Sequence, residues 1–247
     1  AEVLQEDRKA QTIIKELYRL VPALKQPQAQ TLPEKLTRRT LSCETLLKAS
    51  ARDGAWQLGT LGCGNHFVEF QRDDSGALWF MVHSGSRAMG QIITQHHLTL
   101  ATPTEGGLKH LDARSTTGHA YFHDMEWAVQ YATLNRLAIM ARVVELVESS
   151  FGIEADEESY VDSPHNFARR EQHRGTDWIV HRKSANSAGL DELNVIAGSM
   201  GSPSYLVHGL GNEDALCSSS HGAGRAMSRT EARQRIKPAD LQRQLGN

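Results

Sequence analysis

The sequence predicts an α+β protein, with mixed β-sheets surrounded by helices. Two observations predict it: strand-like segments recur between residues 66 and 207, and a long helical stripe separates them without regular βαβ alternation or any internal repeat. The chain has 247 residues, 39% hydrophobic and 23% charged, enough to bury a substantial core and unlike a low-complexity or disordered composition. Its 27 Lys and Arg against 29 Asp and Glu leave a net charge of −2, which excludes a globally basic nucleic-acid coat but not a local basic site. No apolar run reaches the roughly 20 residues of a membrane span. AEVLQEDRKAQ at the start has no signal-like apolar stretch, so no membrane partner is expected.

The elements follow in order. Residues 2–24 read as a helix, because Leu4, Ile13, Ile14, Leu17, Leu20 and Val21 form a broken apolar stripe with charges opposite. Pro22 marks a boundary, and QPQAQTLPEKLTRRT (26–40) reads as a loop or linker. A short helix is expected at 43–51. GTLGCGNHFVEFQ is a glycine-rich turn entering a strand at 66–71, and DDSG at 73–76 is a hairpin-type turn. LWFMVH at 78–83 is an apolar strand that ends in a polar loop, SGSRAMG. Residues 102–118 read as a loop. Asp124 is the expected N-cap of a long helix reaching about Ser150, ended by Gly152, with Trp127, Ala128, Tyr131, Leu134, Ala138, Ala141 and Leu146 on its buried face. Trp127 and Tyr131 read as core rather than as a stacking platform. Strands are expected at 177–181, 193–197 and 205–207, and SSSHGAGRAMSR is a small-residue loop leading into a basic helical tail.

Four of the 12 histidines share one setting: His66 in GNHF, His83 in VHSGSR, His165 in PHNF and His221 in SHGAGR. Each has a small or amide neighbour that lets the backbone approach a ligand. Three neutral imidazoles can hold a divalent metal such as Mn²⁺, Zn²⁺ or Fe²⁺, and an imidazole can also be a covalent nucleophile. The loops GTLGCGN, GSMGS and HGAGR can cradle phosphate through backbone N–H groups, with Arg87, Lys183, Arg225 and Arg229 in or beside them. Glu69 can bind metal or accept from a guanine edge; a solvent-facing strand position explains it equally well. Cys43, Cys63 and Cys217 make no disulfide framework and no paired zinc signature, which fits a reducing, cytoplasmic compartment. Cys63 reads as structural, and Cys43 and Cys217 carry no functional signal.

Taken together, GTLGCGNHFVEF, VHSGSRAMG, HNFARREQH, HRKSA, GSMGSPSYLVHGLGNE and SSSHGAGRAMSR resemble, in order, the motifs of the RtcB family of RNA ligases over residues 59–229. The resemblance implies one RtcB-like ligase domain over 1–247. It implies GTP- and Mn²⁺-dependent joining of RNA 2′,3′-cyclic phosphate or 3′-phosphate ends to 5′-hydroxyl ends, in RNA splicing or repair, through a histidine-guanylate. By motif, His221 is the nucleophile, and His66, His83 and His165 are the metal ligands. Asn65, Glu69, Asn166, Ser199, His221, Gly222, Ala223 and Gly224 match the GTP pocket. Arg87, Lys183, Arg225 and Arg229 match the RNA-phosphate or triphosphate contacts. An archease-like activator is an implied partner.

The match has departures. RKSAN stands where the family has RKGAT, and AGSMG where it has PGSMG. The family's metal-binding Asp and bridging Cys segment has no counterpart, since Cys43 lies in LSCET, and its C-terminal nucleotide-contacting lysine segment is also unmatched. The expectation is a piece of a longer ligase, one that would hold two Mn²⁺ when complete. A non-catalytic RNA-end or nucleotide-binding module and a metal-dependent phosphoesterase are the competing functions.

Overall fold

The computed structural model describes residues 6–244. It is α+β and divides into two compact units, one ending at Glu157 and the other starting at Glu158.

The first unit opens with α1, Asp7–Leu20, which stops one residue before Pro22, where the Val21 N–H bonds back to Leu17 O. The expected helical start at 2–5 lies outside the described residues. The 26–40 loop contains a single turn, α2 (Glu34–Thr37), that buries Leu36. The short helix expected at 43–51 runs further: α3 (Glu44–Ala49) passes through a π turn, Ser50–Gly54, into α4 (Ala55–Gln57). Strand β1 (Phe67–Arg72) pairs antiparallel with β2 (Leu78–His83), with Phe67 opposite His83. Asp73 closes this hairpin. The Ser75 hydroxyl and the Trp79 indole donate to its carboxyl and hold it down to about 2.

Two expectations fail here. The SGSRAMG loop gives way at Arg87 to a helix, α5 (Arg87–Leu100), because Met89, Ile93 and His97 recur every fourth residue and are all buried. The long helix α6 spans Thr116–Phe151 and is capped by Ser115, whose side chain accepts from the Gly118 N–H, not by Asp124. Asp124 is buried inside α6, where it accepts from the Ser42 N–H, the Ser42 hydroxyl and His97 Nε2. The expected 102–118 loop also holds a small hairpin, β3 (Thr102–Pro103) with β4 (Lys109–His110).

Trp127, Tyr131, Asn135, Ile139, Val143 and Val147, each four residues apart, form the buried stripe of α6. Ala141 is exposed, and Leu134, Ala138 and Leu146 are half-buried rather than fully inside. Trp127 and Tyr131 join Leu36, Leu46, Met89 and Ile93 in one apolar cluster. Ile139 and Val143 pack with Val21, Val68, Phe80 and Val82 in a second, which fixes the β1–β2 hairpin to the helix. Gly152, in the left-handed region at φ 64°, ends the helix as the sequence predicts.

The second unit is built from three two-stranded pairings. β5 (Asn166–His173) and β6 (Thr176–Lys183) form a hairpin whose two-residue turn places Arg174 and Gly175 at φ 52° and 74°. β7 (Ala185–Ser187) pairs with β10 (Ser218–Ser220), and β8 (Leu193–Ile196) with β9 (Tyr205–His208). The expected strand at 177–181 is therefore longer, and its partner β5 was not anticipated. NFARREQH carries polar side chains on both faces, because the interior of this unit buries His173, Arg182, Asn186 and Asn194 beside Phe167, Ala168, Val180 and Ala188. The basic tail is helical, as α7 (Arg229–Arg235) and α8 (Pro238–Gln244). Among the described residues no helix is long and apolar enough to cross a membrane.

Candidate functional site

In the first unit, the glycine-rich loop and the end of β2 bring two predicted imidazoles together. The His66 and His83 rings lie 5.9 Å apart between centroids. His66 Nδ1 is 2.9 Å from Leu61 O, so this nitrogen carries the proton and donates, leaving the Nε2 lone pair as the ligating one. Burial, and then the Arg87 guanidinium, push the His66 pKa below its ordinary value, against the Leu61 bond that raises it. The ring is thus neutral near pH 7, the form a metal ligand requires.

Arg87 is held from three sides: Nε donates to Thr60 Oγ1 at 3.0 Å, Nη2 donates to Ala23 O at 3.1 Å, and Nη1 lies 3.4 Å from His66 Nδ1. Since His66 Nδ1 already donates to Leu61, that last contact sets two N–H donors against each other rather than forming a hydrogen bond. Gly62, at φ 103°, makes room for both groups: a Cβ there would stand 2.1 Å from His66 Nδ1 and 2.2 Å from Arg87 Nη1. Glu69 is half-buried on β1 opposite Met81, and Asn65 is exposed in the loop before β1.

A buried residue that the sequence reading overlooked clamps this loop. Asn135 Oδ1 accepts from the Gly59 N–H at 2.7 Å, and its Nδ2 donates to Thr60 O, Ser84 Oγ and Gly85 O at 3.1, 3.0 and 3.3 Å. It ties GTLGCGN to VHSGS, the two segments that carry His66 and His83. The signal in the sequence was a polar residue interrupting an otherwise apolar i, i+4 stripe.

In the second unit, β10 leads directly into HGAGR. The Ala197 N–H donates to His221 O at 3.2 Å, the Ala223 N–H donates to Ala197 O at 2.8 Å, and Gly222 pairs with Ala197 as a parallel bridge. HGAGR is therefore laid beside the AGSMG segment. The His165 and His221 rings approach to 4.5 Å between centroids. Asn166 Oδ1 accepts from the Ser184 N–H at 3.0 Å and so shapes the turn after Lys183, which is exposed at the end of β6. Ser199 is exposed in a tight turn, with its N–H on Ser202 Oγ at 2.9 Å. Ala223, Gly224 and Arg225 are exposed. Arg229 opens α7, and its side chain lies outside the described residues.

The predicted residues are thus gathered as two groups, one in each unit. Among the described residues no three His, Cys, Asp or Glu side chains converge as a metal site. In the first unit the donor chemistry, a neutral His66 beside His83, suits a divalent cation.

Comparison with known proteins bears on these two groups. The family model described as tRNA-splicing ligase RtcB matches residues 4–247. The chain is 40% identical to the RNA-splicing ligase RtcB of Escherichia coli K12 over 202 residues, which is 74% of this chain and 48% of that protein. It is 33% identical to the tRNA-splicing ligase RtcB of Archaeoglobus fulgidus over 238 residues, 78% of this chain and 49% of that protein. With that of Methanocaldococcus jannaschii the identity is 32%, over 80% of this chain and 25% of that protein. The chain spans about half the length of the first two of these relatives, or less of the third.

Proposed function

The chain belongs to the tRNA-splicing ligase RtcB family, and from that premise we propose that it is part of an RNA ligase that joins a 3′-phosphate or 2′,3′-cyclic phosphate end to a 5′-hydroxyl end. The observation that carries the reading is the His165–His221 ring pair beside the loop HGAGR, which is itself bonded to AGSMG.

In this proposal residues 1–247 work as one ligase domain, with GTP as co-substrate and His221 as nucleophile. A His221 ring nitrogen attacks the α-phosphorus of GTP; an N–P bond forms as the P–O bond to pyrophosphate breaks. The guanylate then passes to the RNA 3′-phosphate, and the 5′-hydroxyl displaces GMP. Asn65, Glu69, Asn166, Ser199 and the 222–224 backbone orient the nucleotide, while Arg87, Lys183, Arg225 and Arg229 hold phosphates. His66, His83 and His165 would hold Mn²⁺, whose charge would offset that of the phosphates. A cytoplasmic location and an archease-like activator belong to the same proposal.

The test is intact mass spectrometry of the full-length protein before and after incubation with GTP and Mn²⁺. The expected result is a gain of one guanylate, mapped to His221 and absent from His221→Ala, which keeps its metal binding. His83→Ala or His165→Ala should weaken Mn²⁺ binding and lower the adduct as a consequence. Undiminished guanylylation of His221→Ala removes the mechanism. RNA-end binding without an adduct supports the binding module, and phosphate release without an adduct supports the phosphoesterase.

A further inference from the structure

The second unit contains a thiol, an imidazole and a carboxylate in line, none of which the ligase reading uses. Cys217 Sγ lies 4.0 Å from His173 Nδ1, and His173 Nε2 lies 3.0 Å from Glu171 Oε2. Glu171 in turn takes a two-pronged ion pair from Arg182, whose side chain is 1% exposed. The carboxylate accepts from Nε2–H, so the lone pair of His173 Nδ1 faces the thiol. His173 is 5% exposed, which leaves its ring little freedom to turn away.

Arg182 also fixes the backbone under the sulfur, donating to Leu216 O at 2.8 Å and Cys217 O at 3.2 Å. Cys217 itself is half-buried. His173 further lines an open cleft of about 350 Å³ with Trp178, Leu216, Thr176, Arg174 and Glu213. Trp178 is 52% exposed and offers a flat apolar wall. Cys43 is a natural comparison. It lies 3.7 Å from His96 Nε2, but among the described residues no carboxylate is bonded to that imidazole.

We propose that Cys217 is an activated thiol, with His173 as its base and Glu171 as the group that orients the base, and that it exchanges with small aromatic disulfides entering the Trp178 cleft. The step balances. The Cys217 S–H proton passes to His173 Nδ1, and the sulfur attacks one sulfur of the disulfide. A new S–S bond forms as the old one breaks. The departing thiolate takes the proton back from His173. Cys217 is oxidised to a mixed disulfide, and the leaving half is reduced to a thiol.

The experiment uses the full-length protein with every cysteine except Cys217 replaced by Ser, Cys43 and Cys63 among them, and 4,4′-dithiodipyridine as probe. Release of thiopyridone is followed for the folded protein and for the same protein unfolded in urea. The folded thiol is expected to react about ten-fold faster than the unfolded one, within the reach of a positioned base. His173→Gln, with the fold checked by circular dichroism, should remove that advantage. Should His173→Gln fail to fold, Trp178→Ala at the cleft wall should lower the folded rate while leaving the unfolded rate unchanged. A folded rate at or below the unfolded rate overturns the proposal, as does a folded His173→Gln that reacts as fast as its parent.

Discussion

Removing the Asn135 carboxamide is the most direct way to test how the first histidine pair is held. Asn135 and Thr60 are both 0% exposed, so water does not replace the lost bonds. In Asn135→Ala the Gly59 N–H and the Thr60 carbonyl lose their short partners at 2.7 and 3.1 Å. A buried polar group left unpaired costs about 1–3 kcal/mol. The Gly59 N–H is left unpaired and the Thr60 carbonyl keeps only the 3.4 Å contact from Ser84 Oγ, so together they give about 3 kcal/mol, a large part of the ~5–15 kcal/mol that holds a typical protein folded. With a urea slope of about 2 kcal/mol/M, the unfolding midpoint should fall by about 1.5 M. Asn135→Asp should be no better. It keeps an acceptor for the Gly59 N–H but turns the other oxygen, and a buried charge, toward the Thr60 and Gly85 carbonyls. Urea unfolding followed by tryptophan fluorescence checks both variants. A loss below about 1 kcal/mol in Asn135→Ala would refute the claim that this side chain clamps the two loops.

Three further outcomes are expected. Ser184 occupies the left-handed region at φ 57° where the RtcB motif has glycine, so Ser184→Gly should relieve strain. Allowing for the extra freedom of glycine in the unfolded chain, the gain is about 0.5–1 kcal/mol, or roughly 1–4 °C in Tm by calorimetry; an unchanged or lower Tm contradicts it. Arg182 holds the Glu171 carboxyl below its ordinary 4.5, so the unfolded chain takes up the proton first as pH falls. The stability this pair contributes is complete above about pH 4.5 and is lost below it, as pH falls through the lowered folded value. Arg182→Met should therefore flatten the acid slope of the urea midpoint and cost about 3 kcal/mol at pH 7, because Glu171 loses the guanidinium and keeps only the His173 contact. The His66 ring should titrate below 6.5 by NMR, and Arg87→Gln should raise it only part-way, since burial is the larger cause.

The sequence nominates the residues of the candidate site because they lie in short contiguous motifs. HGAGR, GTLGCGNHF and VHSGSR each set small residues in a fixed order around one imidazole, and that order survives in a linear reading. The β1–β2 hairpin was legible for a similar reason: DDSG closes it locally, and the pairing of Phe67 with His83 follows from the turn. Helix α5 and the start of α6 were not legible. Helix α5 follows directly on a Gly/Ser loop and is set by burial of Met89, Ile93 and His97, while α6 opens on the poor helix formers Thr116, Thr117 and Gly118 and is started by the Ser115 cap.

The sequence by itself therefore determined the α+β class and the family, because these depend on residue type and short-range spacing. Only the tertiary structure decided that Asp124 is a buried anchor instead of a helix cap, that Asn135 ties together two loops lying 76 and 51 positions before it, and that Cys217 faces His173 across 44 positions. Those roles arise from desolvation and from bonds between residues distant along the chain. Nothing in the local pattern of a sequence encodes which buried polar atoms will meet.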